Sequence, residues 1–145
     1  MAQTLLSVHA IRHIPRVRAF LAASPLMAST ILVVDDDEHI RSLETKVLER
    51  QGYRVVQASD GNEAIKRLDA DGYAAVVLDL MMPHANGFDV LDHLAQTNPL
   101  LIGKTVIATA FVREAESARL HEVCRVLVKP FDIQQLVDAV QTCAQ

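Results

Sequence analysis

The chain has 145 residues, half of them hydrophobic and 22% charged, which suits one domain with a sizeable core. No apolar run approaches the roughly 20 residues needed to cross a bilayer. Residues 1–30 hold Arg12, Arg16 and Arg18 and no acid, so the other 11 basic and 18 acidic residues leave −7, a balance ill suited to non-specific nucleic-acid binding.

Residues 1–27 read as an N-terminal extension. Leu5, Leu6, Val8, Ile11, Ile14, Val17, Phe20 and Leu21 could line one face of a basic amphipathic helix. Three readings stay open: a disordered or loosely helical tail, a helix for a partner or membrane surface, and an upstream stretch before a true start at Met27. The arginines followed by Ala19–Ala23 faintly resemble a signal peptide, but Pro25 interrupts the apolar stretch.

From Ile31 the pattern alternates between short apolar runs and helical spacing. Ile31–Val34 is continuous and apolar, as a strand buried on both faces should be. Ile40, Leu43, Val47 and Leu48 then recur at helical spacing in a first helix, and Gly52 follows its last turn. Arg54–Ala58 predicts a second strand, and Ser59 or Asp60 caps a helix carrying Ala64, Ile65 and Leu68.

Ala74–Leu78 is the strongest strand. After it come Asp79, Pro83 and Gly87 in a loop, then a third helix marked by Phe88, Leu91 and Leu94 and ended by Asn98-Pro99. Thr105–Ala108 predicts the fourth strand, Glu114–Glu122 a short fourth helix, and Val126–Val128 the fifth strand. Asp132 caps a last helix with Leu136, Val137 and Val140 inward.

Five strands each followed by a helix make a (βα)5, doubly wound parallel α/β fold. In such sheets the ligand site lies beyond the carboxyl ends of the strands. The residues there are Asp35, Asp36 and Asp37 after the first strand, Asp79 after the third, Thr109 after the fourth and Lys129 after the fifth. Carboxylates that converge repel one another unless a cation compensates. Magnesium takes oxygen ligands, commonly one or two carboxylates with waters and phosphate oxygens, so the cluster predicts a Mg2+ site open to a phosphate. Lys129 offers a charge and Thr109 a hydroxyl to phosphoryl oxygens. Asp37 is expected to cap the first helix.

Ile31-Leu32-Val33-Val34-Asp35-Asp36, Val77-Leu78-Asp79-Leu80-Met81-Met82-Pro83, Thr109-Ala110 and Lys129-Pro130-Phe131 together resemble the receiver domains of two-component response regulators. The resemblance covers residues 28–145 and implies a flavodoxin-like strand order 2-1-3-4-5. It implies that Asp79 accepts a phosphoryl group from a sensor histidine kinase or histidine phosphotransfer protein. It further implies that Asp36, Asp79 and the Met81 main-chain carbonyl hold Mg2+, that Asp35 holds a water on the metal, and that Thr109 and Lys129 bind phosphoryl oxygens. The Lys129-Pro130 bond resembles one that is often cis in that family. The implied product is a cytoplasmic acceptor labelled once, with slow autodephosphorylation, rather than a turnover enzyme. A downstream protein would read the face formed by the fourth helix, the fourth and fifth strands and the fifth helix.

The chain ends soon after the last helix, so the expectation is a single-domain regulator, without direct nucleic-acid binding, that relays or switches by protein contacts. The rivals are a Mg2+-dependent phosphatase with an aspartyl nucleophile, whose Asp-x-Asp spacing occurs in Asp35–Asp37, and a pseudo-receiver that is never phosphorylated.

Some positions depart from the family. Val126 stands where many receivers have an aromatic residue, Glu122-Val123 replaces a common Gly-Ala pair, and the stretch from Thr109 to Lys129 is slightly short. An aromatic switch is therefore in doubt, and the loop after Thr109 is the alternative bistable element. Met81 and Phe111, both apolar, flank the expected path of attacking water and should slow loss of the phosphoryl group. His39, His84, His93 and His121 have no ligand spacing and are expected at the surface. Cys124 and Cys143 fit no disulfide framework or zinc pattern and are expected as reduced thiols.

Overall fold

The computed structural model describes residues 29–82, 86–110 and 118–145. The extension 1–27, His84, Phe111 and the first four residues of the expected fourth helix lie outside them.

Five strands form one parallel sheet: β1 (Thr30–Val34), β2 (Arg54–Ala58), β3 (Ala75–Leu78), β4 (Thr105–Thr109) and β5 (Arg125–Val128). Their order is β2-β1-β3-β4-β5, as the sequence resemblance implied. The central strands β1, β3 and β4 bury nearly every side chain, which is why they read as unbroken apolar runs. Edge strand β5 is half open, with Val128 exposed.

The helices are α1 (Glu38–Arg50), α2 (Gly61–Ala70), α3 (Gly87–Thr97), the single turn α4 (Pro99–Ile102) and α5 (Ile133–Cys143). They pack two apolar layers against the sheet. One holds Leu32, Leu78, Val90, Leu91, Leu94 and Ile107, the other Ile31, Val33, Leu48, Val106, Leu136 and Val140. Caps fall where the sequence placed them. Asp37 accepts the His39 and Ile40 N–H groups, Asp60 that of Glu63, and Asp132 that of Gln135. Gly52 sits at φ +93°, a left-handed turn that glycine enters without strain.

Four expectations need correction. First, only part of the apolar recurrence on α1 turns inward: Val47 and Leu48 are buried and Leu43 is exposed, while Glu44 and Thr45 are buried beside them. The stripe 41, 44, 45, 48 has the same helical period as 40, 43, 47, so spacing alone does not choose between them. Second, Asn98-Pro99 does end α3, but Pro99 then starts α4, where its missing N–H costs nothing.

Third, the described part of the expected fourth helix, Ala118–His121, is a single 3-10 turn. Fourth, Cys124 and Cys143 are not free thiols but a disulfide, with Cα atoms 5.9 Å apart. Antiparallel packing of α5 against β5 returns the helix end to the strand start across 19 residues, a closeness that spacing alone does not reveal. His39 and His121 are exposed, whereas His93 is partly covered and its Nε2 lies 2.7 Å from Asp69 Oδ1.

Candidate functional site

The parallel register brings the strand ends level. Val34 pairs with both Ala58 and Leu78, and Thr109 with Val128. The ladder runs one residue past the strands: Asp35 N–H donates to the Ala58 carbonyl, Asp79 N–H to Val34 and Lys129 N–H to Thr109, at 3.2, 3.0 and 2.7 Å. Residues that follow three different strands thus face one another across a single edge.

Asp35 and Asp79 are buried there, and Asp36 is exposed at the rim. One carboxylate oxygen from each lies within 4.8 Å of the other two. Lys129 Nζ bridges the buried pair, 2.8 Å from Asp35 Oδ2 and 3.4 Å from Asp79 Oδ2. Main-chain N–H groups of Asp37 and Met81 donate to Asp35 Oδ1 and Asp79 Oδ1 at 2.9 and 3.1 Å. Thr109 is fully buried at the end of β4. Met81 is half exposed two residues past Asp79, with Leu80 buried between them.

Burial pushes the Asp79 carboxyl up and outweighs the Met81 N–H and the Lys129 charge, which pull it down. Lys129 is held above its ordinary value. Burial opposes its charge, but the hydrogen bond and charge of Asp35, with the charges of Asp79 and Glu44, prevail. Three oxygen donors converging beside one ammonium suit a hard divalent cation, and the donor set is the kind that magnesium takes.

Three supporting residues were given no part in the site by the sequence. Arg41 Nη1 donates to the Asp35 carbonyl at 2.7 Å and its Nε to Gln57 Oε1 at 3.1 Å, bracing the β1 end. Gly87 opens α3 against the chain after Asp79. A Cβ there would come within 2.5 Å of the Asp79 carbonyl oxygen and 2.7 Å of Leu80 Cα. The strictness of that glycine has no signal in spacing alone. Glu44 is 97% buried, and neither carboxylate oxygen has a hydrogen-bond partner. Burial drives its carboxyl up to about 8, the charges of Asp35 and Asp79 add to the rise, and Lys129 opposes it.

Residues 31–141 match the family model described as the response regulator receiver domain. The transcriptional regulatory protein CpxR of Escherichia coli K12 is 36% identical over 113 residues, 77% of this chain and 47% of CpxR. The alkaline phosphatase synthesis transcriptional regulatory protein PhoP of Bacillus subtilis is 46% identical over 70 residues, 48% of this chain and 29% of PhoP. The chain thus spans about half the length, or less, of these curated relatives. Among solved structures, response regulator TrrA of Thermotoga maritima, in complex with Mg2+-BeF, superposes with a TM-score of 0.73 at 29% identity, covering 79% of this chain and 98% of TrrA. The Francisella response regulator 1452 receiver domain gives 0.69 at 28% identity, covering 80% of this chain and 96% of its own.

Proposed function

The chain belongs to the response regulator receiver domain family, and on that premise we propose that it accepts a phosphoryl group on Asp79 from a phosphohistidine of a sensor kinase or phosphotransfer protein. One observation carries the reading: a buried Asp79 set between two further carboxylates and a lysine 3.4 Å away.

The chemistry follows from the positions. An Asp79 carboxylate oxygen attacks phosphorus, the P–O bond forms as the P–N bond breaks, and the electron pair returns to the imidazole, which takes up a proton. Such a transfer asks the protein for positioning and charge neutralisation rather than for acid–base chemistry. Lys129 leaves its contact with Asp79 to hold a phosphoryl oxygen, and the Thr109 hydroxyl donates to another. Asp36, Asp79 and the Met81 main-chain carbonyl are the proposed direct ligands of magnesium, with Asp35 holding a water on it. When bound, the ion neutralises the acids and the transferring group.

The incoming donor needs a seat beside this edge. A groove of about 450 Å3 opens next to Lys129, lined by Ile40, Leu43, Pro130, Phe131 and Ile133. Leu43 and Ile133 are each half exposed, as the rim of a helix-binding slot would be. We assign the donor to this groove. The downstream protein is assigned to the side of β4, β5 and α5. The proposed product is a single-domain, cytoplasmic acceptor with slow autodephosphorylation that signals through protein contacts and does not itself bind nucleic acid. No helix among the described residues is long and apolar enough to cross a membrane.

The test is intact-mass measurement after incubation with magnesium and acetyl phosphate. One phosphoryl adduct that needs magnesium and is absent from Asp79→Asn supports the reading. Repeated hydrolysis of a generic phosphomonoester would point to a phosphatase, and no adduct from any donor would point to a pseudo-receiver.

A further inference from the structure

Glu44 has no part in that chemistry, yet it is the one described side chain with buried oxygens that lack any hydrogen-bond partner. A carboxyl in apolar surroundings without a donor is costly, and in a native protein it calls for an explanation. Among the described residues no cation is bonded to it. Lys129 is engaged by Asp35 and Asp79, and Arg41 by the Asp35 carbonyl and Gln57. Asp35 and Asp79, the acids that act on it, only add negative field, and the chain from residue 31 onward carries −7, from 11 basic and 18 acidic residues.

Glu44 lies in the wall of the groove described above, between Leu43 and Val47, with Phe131, Ile133 and Leu136 opposite. The slot is otherwise apolar, and one end meets Lys129 at the phosphoryl-accepting edge. Its complement is a chain of methylenes ending in a cation, the shape of a lysine or arginine side chain. We propose that Glu44 is a specificity-determining residue of the donor seat, pairing with a lysine or arginine that the docking helix of the phosphodonor inserts among apolar neighbours. A rotation of the Glu44 side chain turns its oxygens to the entering cation, and a donor lacking that cation leaves the buried acid unpaired. This deepens the donor-seat assignment and rests on it.

The experiment follows backbone amide shifts of the full chain with magnesium in excess, so that the acidic edge is occupied. The probes are n-hexylammonium, n-hexanol and hexanoate, then two synthetic amphipathic helices that differ only in lysine against norleucine at one central apolar position. The expected result is saturable shifts at Ile40, Phe131 and Ile133 for n-hexylammonium, at least tenfold weaker for n-hexanol and absent for hexanoate. The lysine helix should bind at least tenfold tighter than the norleucine helix. Both preferences should vanish in Glu44→Gln, which keeps the shape of the side chain, and in Glu44→Leu.

Equal binding of n-hexylammonium and n-hexanol, preferences that survive in Glu44→Gln, or shifts confined to Asp35 and Asp36 would overturn the assignment. Binding of the free amine but of neither helix would make the groove a small-molecule site and overturn the partner assignment. Acetyl phosphate labelling separates the two readings. An unlabelled parent chain would sink the receiver reading whatever the amines do, whereas a labelled parent chain with no amine preference would sink the Glu44 assignment alone.

Discussion

Three acids in this domain are almost equally buried and could hardly be treated more differently. Asp35 and Asp79, at 1% and 6% exposure, share Lys129 and each accept a main-chain N–H. Glu44, at 3%, has no donor at all. Burial alone therefore does not make a reactive carboxylate. The sheet edge compensates its acids with an ammonium and backbone donors. The helix interior leaves its acid uncompensated and mostly neutral near pH 7.

The largest change comes from making the edge resemble the helix. Lys129→Met removes the only described ammonium beside Asp35 and Asp79. Labelling by acetyl phosphate should slow by about 10²–10³-fold, the scale of losing one preorganised charge at a transferring group. A rate unchanged within twofold, read by intact mass over time, would break the contrast.

Removing the odd acid comes next. The folded pKa of Glu44, about 8, stands above its ordinary 4.5, so the folded chain holds a proton that the unfolded chain has released between those values. Stability from this group is fully present below about pH 4.5 and lost as pH rises through about 8. Urea melts of Glu44→Leu should be more stable than the parent by on the order of a few kcal/mol at pH 8. The gain should shrink towards acid pH, and a difference that does not depend on pH would contradict the account.

A third change sharpens how tightly the edge is held. Gly87→Ala drives a Cβ into the Asp79 carbonyl and Leu80. It should cost about 1–3 kcal/mol in the same melts, as overpacking does. The smallest effect is on lifetime. Met81→Asn should place a polar group two residues past Asp79 and speed loss of the phosphoryl group by roughly tenfold or less, read by the decay of the labelled mass.

The architecture was readable because parallel strands announce themselves. Ile31–Val34 and Ala75–Leu78 are apolar throughout, and their ends carry residues of a different kind. The site was readable for the same reason, since Asp35, Asp79 and Lys129 need only the rule that strand ends share an edge. What escaped depends on rotation and closure rather than period. Leu43 and Glu44 differ by one position on α1, and only the packed helix decides which turns inward. Cys124 and Cys143 meet because α5 returns along β5. Gly87 is strict because α3 starts against the backbone after Asp79, a contact that no local pattern encodes.

The central claim is that Asp79, alone among the clustered acids, becomes the acyl phosphate. Labelling with acetyl phosphate, trapping with borohydride to convert the phosphorylated aspartate to homoserine, and sequencing the peptides tests it directly. The account predicts conversion at Asp79 only. Conversion at Asp35 or Asp36, or a phosphoryl group recovered on a histidine, would contradict it.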